Sequence, residues 1–215
     1  LQRILKEKLL KAKATFGLFE ANSVEDDDIE VKFYQDSEQK TAIFRTLRQQ
    51  LKKHGDQPNY ALSDFIAPKD NGVQDYIGCF CVTTGFGTQE LAQEFEKNLD
   101  DYNSIMIKAL ADRLAEAFAE YLHKEVRLNY WGYDSEENLS NEDLIKEEYK
   151  GIRPAPGYPA CPDHLEKLTI WEILKVKENI GVELTESLAM WPAASVSGYY
   201  FANPEAKYFG LGKIK

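Results

Sequence analysis

Gly151-Ile152-Arg153-Pro154-Ala155-Pro156-Gly157-Tyr158-Pro159-Ala160-Cys161-Pro162 carries four prolines in twelve residues. Each proline fixes its own φ and pushes the residue before it away from helical conformation, so this run reads as a stiff, ordered loop. A loop so constrained loses little entropy on binding. Within it Arg153 offers a planar fork suited to a carboxylate, Gly157 permits close backbone approach, and Tyr158 supplies an aromatic face with a hydroxyl. Those are the parts of a site for a small zwitterion such as an amino acid. On spacing alone a second reading stays open, a proline-stiffened connector whose arginine pairs with a surface carboxylate.

Helical sequence flanks the loop on both sides. Leu139 to Tyr149 reads as one helix, started by Ser140 with Asp143 three residues on, and Asp163 with Glu166 repeats that capping-box pattern for another running to about Lys177. The longest element is expected from about Leu99 to Arg127, with Asn98 as cap, Asp100 and Asp101 in its first turn, and Lys124 and Arg127 in its last. Met106, Leu110, Leu114, Ala117, Phe118, Tyr121 and Leu122 would line its apolar face, while Ala109, Ala111, Ala115 and Ala119 let neighbours approach closely. Further out, Leu1 to Lys13 is helix-like, and Thr15 to Asn22, Ile29 to Tyr34 and Tyr76 to Thr84 have the β-branched and aromatic density of strands. Val196 to Phe201 and Tyr208 to Ile214 read as a hairpin around the turn Asn203-Pro204-Glu205-Ala206. The expectation is one α+β domain over residues 1–215, a twisted, mainly antiparallel sheet packed with long helices.

The chain has 215 residues, 43% of them hydrophobic and 12% aromatic, enough to bury a proper core. A formal charge of −10 repels polyphosphate backbones, which argues against a nucleic-acid partner. No run approaches the roughly 20 apolar residues of a bilayer-spanning helix, and the charged start lacks a signal-peptide core, so a soluble chain without a membrane partner is expected. Cys79, Cys81 and Cys161 make an odd count, which fits a reducing cytoplasm. The methionines are Met106 and Met190, so Leu1 is no initiator and the chain is expected to be a processed product or, the favoured reading, a module of a larger protein.

Weaker signals are set against plainer readings. Cys79-Phe80-Cys81 and Cys161-Pro162-Asp163-His164 make a zinc site conceivable, but the spacing matches no established pattern and buried free thiols are favoured. Glu120-x-x-His123 is half of a diiron motif without a second copy. Thr84-Gly85-Phe86-Gly87-Thr88 has the geometry of an anion-binding turn, with a simple strand-to-helix turn favoured. Glu25-Asp26-Asp27-Asp28 lacks the Gly-punctuated spacing of a calcium loop and reads as a turn. No metal ligand and no catalytic side chain is assigned.

The run from Gly151 to Pro162 is very similar to the signature of the activation domain of cobalamin-dependent methionine synthase. The resemblance extends to Ala61-Leu62-Ser63-Asp64-Phe65-Ile66-Ala67-Pro68, Asp101-Tyr102-Asn103, the stretch from Ala109 to Phe118, Tyr130-Trp131-Gly132-Tyr133, Met190-Trp191-Pro192 and the stretch from Ser195 to Phe201. It thus spans nearly the whole chain. It implies that S-adenosylmethionine is bound, with Arg153 on the methionine carboxylate, Ala155, Gly157 and Tyr158 lining the site, and Tyr208 and Phe209 enclosing the ligand. Phe209 departs from the tyrosine usual in the family and removes a hydroxyl. Asp112, Glu116 and Glu120 recur every four residues as an acidic stripe that costs a few tenths of a kcal/mol per like-charged pair. The resemblance implies that Glu116 faces the ligand and favours its sulfonium, that Asp112 contacts the cobalamin module, and that an upstream segment adds an aspartate. A solvated helix face remains the alternative for Asp112 and the favoured reading for Glu120.

By that resemblance cob(II)alamin, formed when the enzyme's methyl carrier is oxidised, receives one electron from a flavodoxin or flavin reductase and a methyl group from S-adenosylmethionine held here. The reactivated enzyme makes methionine from homocysteine and methyltetrahydrofolate. Cobalamin, and zinc in the homocysteine module, would reside elsewhere in the full enzyme. Two rivals are a non-catalytic module that docks a reductase or the cobalamin module with an incomplete pocket, and a free-standing amino-acid or nucleotide sensor.

Overall fold

The computed structural model describes residues 1–25, 27–53, 55 and 57–212. Its central feature is a five-stranded sheet ordered β3-β2-β1-β4-β7, formed by β1 (Lys11–Val24), β2 (Asp28–Gln35), β3 (Glu38–Arg45), β4 (Asp75–Phe86) and β7 (Ser195–Tyr200). A two-residue ribbon joins β5 (Glu183–Leu184) to β6 (Met190–Trp191). Helices α1 (Gln2–Glu7), α2 (Thr88–Lys97), α3 (Asp101–Glu125), α4 (Asn141–Ile145), α5 (Glu166–Leu174) and α6 (Val176–Ile180) complete an α+β fold.

The strand pattern follows burial. In β2 the residues Ile29, Val31 and Phe33 are buried while their neighbours alternate outward, the period-2 signature of a half-covered strand, and β2 pairs antiparallel with both β1 and β3. β4 is buried from Ile77 to Gly85, as befits an interior strand. β3, with its Glu-Gln-Lys-Thr start and largely exposed surface, shows no apolar alternation and escapes the sequence reading.

The chain divides into two compact units. One comprises Leu1–Thr15, Cys81–Lys124 and Val176–Val196. Its core joins Ile4, Leu91, Ala92 and Ile107, with Leu9, Leu10, Phe95 and Leu110 packed around them, and a second cluster of Ala111, Ala115 and Ala194. The Thr84 hydroxyl donates to the Ala111 carbonyl at 2.7 Å. The helical start is shorter than expected, because α1 ends at Glu7 and β1 begins at Lys11. Helix α3 also faces differently from the large-residue stripe: Ile107, Ala111, Ala115, Ala119 and Leu122 are buried, whereas Met106 and Tyr121 are exposed. Small side chains bring the helix axis closer to its neighbours than leucines would. The cap is Asp100, whose carboxylate accepts from the Asn103 N–H at 3.1 Å, while Asn98 closes α2.

The other unit holds Phe16–Phe80, Glu125–Lys175 and Ser197–Lys215. Aromatic rings build much of its core: Phe80 stacks on Tyr200 at 4.7 Å, Phe44 meets Tyr199 edge-on at 4.9 Å, and Phe65 meets Phe201 at 6.4 Å. Helix α4 starts on the expected Ser140/Asp143 capping box but stops at Ile145. Glu166 does not close a box with Asp163; its carboxylate accepts from the Arg45 N–H at 3.1 Å, which leaves α5 without a side-chain cap. That helix ends at Leu174 because Lys175 turns left-handed. Tyr208 to Gly212 form no strand, and Ile214 lies outside the described residues. The expected hairpin fails because the proline loop already occupies the backbone groups of β7 and Phe201 that a returning strand would need.

Candidate functional site

The sequence of β7 explains how the proline loop is seated. Ile152 and Phe201 exchange two N–H···O bonds of 3.0 Å, and the Tyr199 N–H donates to the Pro154 carbonyl at 2.9 Å. A side chain at Gly198 would put its Cβ 2.5 Å from the Pro154 oxygen, so glycine is required for this close approach. With Ile152 and Pro154 bonded towards β7, the alternation of extended backbone turns the intervening Arg153 N–H the other way. There it donates to the Tyr208 hydroxyl at 2.9 Å. The loop's one cation therefore hangs from a main chain fixed on both sides.

Beyond Arg153 the chain makes two tight turns. The Tyr158 N–H donates to the Ala155 carbonyl at 3.2 Å, with Pro156 and Gly157 at the central positions and Gly157 at φ 96°, the pattern of a type II turn. The Cys161 N–H returns to the Tyr158 carbonyl at 2.9 Å, and the Gly157 N–H to the Cys161 carbonyl at 2.7 Å. The C-terminal segment locks onto this surface through the Leu211 N–H, which donates to the Pro159 carbonyl at 3.1 Å. Tyr158 and Tyr208 remain 57% and 41% exposed, Arg153 is half-buried and Ala155 is buried. A stiff backbone thus presents a guanidinium-bearing residue, two small residues and two phenols in one unit.

Burial pushes the Tyr208 phenol up, while the Tyr149 hydroxyl and the Arg153 N–H act in the opposite direction. Burial likewise pushes the Cys161 thiol up to about 12, with Glu166 adding to the rise. The loop's own sulfur therefore stays protonated and weakly nucleophilic at neutral pH. Phe209 directs its ring at Tyr60 and Phe65, with centroids 6.2 and 6.3 Å away. Glu116 and Asp112 are exposed on α3 in the other unit. Asp112 lines a 230 Å³ hollow there with Lys108, the Gly85–Glu90 turn and Trp191 to Ala194. That turn is a strand-to-helix connection: Gly87 sits at φ 92° against the Leu9 carbonyl, and Gly85 packs on Pro192.

A family model for the activation domain of vitamin B12-dependent methionine synthase matches residues 1–215. The chain belongs to this family. A crystal structure of the MetH reactivation domain bound to AdoHcy resembles this activation domain with a TM-score of 0.93 and 56% identity, over 99% of this chain and 65% of that one. The activation domain described here therefore spans about two-thirds of the solved chain's length. Its twisted sheet and helices are those of that fold.

Three residues of this activation domain stand behind Tyr208 to which the sequence reading gave no part in the site. Arg127, expected in the last turn of the long helix, sits in the π-helical turn Val126–Tyr130 that continues α3, and its wholly buried side chain pairs with the equally buried side chain of Glu137. Tyr149 is buried under the Arg127 guanidinium. No local signal marked them, since a basic helix end and the acidic run Asp134 to Glu137 both look solvated. Cys79, Cys81 and Cys161 are buried and in no disulfide, and no metal-holding group of three or more His, Cys, Asp or Glu occurs among the described residues. No helix among them is long and apolar enough to cross a membrane.

Proposed function

We propose that this domain binds S-adenosylmethionine at Arg153, Ala155, Gly157, Tyr158 and Tyr208 and presents its methyl group for reductive reactivation of a cobalamin-dependent methionine synthase. The observation that carries the reading is Arg153 pinned by its neighbours to β7 and by its own N–H to Tyr208. A guanidinium on so fixed a stem can meet a carboxylate with two parallel hydrogen bonds at little entropic cost. Ala155 and Gly157 keep side-chain bulk away where a ligand would lie along the turn. The exposed ring of Tyr158 offers a π face to a sulfonium or an adenine. Phe209, its ring turned to Tyr60 and Phe65, encloses the ligand with Tyr208 but offers no hydroxyl. The resemblance adds Glu116 as a carboxylate favouring the cationic methyl donor and Asp112 as a contact for the cobalamin module.

When bound, S-adenosylmethionine would supply a methyl group to the cobalt of a neighbouring module, after one electron from a flavodoxin or flavin reductase, and would leave as S-adenosylhomocysteine. The domain's part is positioning. Arg153 fixes one end of the ligand, the turn fixes its course, and the protonated Cys161 offers no competing nucleophile. A domain of the kind crystallised with AdoHcy, at 56% identity, supports the choice of ligand.

The test is calorimetric titration of the chain, within its full-length enzyme, with S-adenosylmethionine, S-adenosylhomocysteine, methionine and ATP. The two adenosylated sulfur compounds should bind most tightly, and Arg153→Ala should weaken both by about 10- to 100-fold, the worth of a charge-assisted pair. Equal affinity for all four ligands, or an unchanged Arg153→Ala, would refute the reading.

A further inference from the structure

Behind the Tyr208 hydroxyl stands a column of buried groups. Arg127 is fully buried; its Nε and Nη2 donate to the Glu137 carboxylate at 2.5 and 2.9 Å, and its Nη1 makes no hydrogen bond. The guanidinium carbon lies 4.3 Å from the centroid of the Tyr149 ring. Tyr149, 7% exposed, places its hydroxyl 3.3 Å from that of Tyr208, which also accepts the Arg153 N–H.

Such a pair is a poor way merely to fill a core, because apolar residues of similar volume are often as stabilising or more so. Its geometry suits another task. A cation on the face of a phenol withdraws π density and makes the hydroxyl a stronger donor. A phenolic oxygen accepts through its lone pairs and donates once. If Tyr149 and the Arg153 N–H both donate to Tyr208, the Tyr208 proton is left to point outward, to an acceptor on a ligand.

We infer that Arg127, Glu137 and Tyr149 are positioning residues for the ligand site, orienting the Tyr208 hydroxyl as an outward donor while that oxygen holds the Arg153 main chain. This rests on the proposed ligand site and extends it to three residues that touch no ligand. The Arg153 N–H donates to the Tyr208 oxygen at 2.9 Å, and the 3.3 Å contact between the hydroxyls accommodates Tyr149 as its donor. At 3.3 Å the contact between the hydroxyls is long, and bonds of this kind tighten when a site is loaded.

Tyr149→Phe tests this cleanly, since the ring stays under Arg127 and only the hydroxyl is lost. S-adenosylhomocysteine affinity should fall about fivefold, as should that of Tyr208→Phe, and the double variant should lose no more than Tyr208→Phe alone. A ligand-free readout runs beside it: hydrogen exchange of the Arg153 amide should quicken by about fivefold or more in both single variants. Independent, multiplying losses of affinity, or wild-type exchange at Arg153 in Tyr149→Phe, would overturn the inference. If the unsubstituted protein binds no adenosylated compound, the proposed function falls while the Arg153 exchange rate still decides the positioning role.

Discussion

Gly151 and Gly157 bracket Arg153 with φ values of 76° and 96°, and each leaves no room for a methyl group. An added Cβ at Gly151 would lie 2.2 Å from the Phe201 carbonyl oxygen, which is already held by the Ile152 N–H and cannot retreat. At Gly157 it would lie 2.2 Å from the His164 ring, which can swing aside. Gly157→Ala should therefore cost about 1–3 kcal/mol from backbone strain, and Gly151→Ala distinctly more. Urea unfolding of the two variants gives the order directly; a reversed order would mean that the loop is not seated on β7 as described. The sequence marked Gly157 only as a place for close backbone approach, and its positive φ at the centre of a turn emerges in the structure. The burial of Arg127 was not legible, because a buried ion pair is created by two segments meeting, and neither segment alone differs from solvated surface.

Short elements depend on single side chains in the same way. The 3₁₀ turn Leu62–Phe65 is tied down by Asp64, which accepts two bonds from Arg48, at 2.7 and 2.8 Å, and one from the Ala61 N–H at 2.9 Å. Burial pulls this carboxyl up, but Arg48 and Ala61 together hold it below its ordinary 3.8. A depressed carboxyl stabilises the fold above its unfolded value, and that stability is lost as pH falls through the folded value. Asp64→Asn should thus be less stable at pH 7, by about 0.5–1.5 kcal/mol for a partly exposed pair. The gap to wild type should close as pH drops below 3.8. Denaturant midpoints from pH 7 to pH 3 check this, and a gap independent of pH would assign the effect to packing alone. At this scale the sequence showed strand and helix identity through periodicity, and the Ser140 cap through local chemistry. It misplaced the buried face of α3 because leucine and alanine stripes compete on one helix, and it missed β3 because that strand buries little.

Over the whole molecule, the α+β class and the family were both readable, since long motifs repeat the same local solutions along nearly the entire chain. The arrest of the expected C-terminal hairpin was not, because it turns on which of two distant segments takes the backbone groups beside β7. That competition is also what fixes Arg153, so fold and proposed function meet at one residue. The most direct measurement is transfer of a labelled methyl group from S-adenosylmethionine to cobalamin in full-length enzyme trapped as cob(II)alamin and supplied with reductant. With Arg153→Ala, methyl transfer at subsaturating S-adenosylmethionine should fall by about tenfold or more, while turnover started from methylcobalamin with methyltetrahydrofolate and homocysteine stays normal. Reactivation at the wild-type rate would contradict the assignment of this loop as the methyl donor's site.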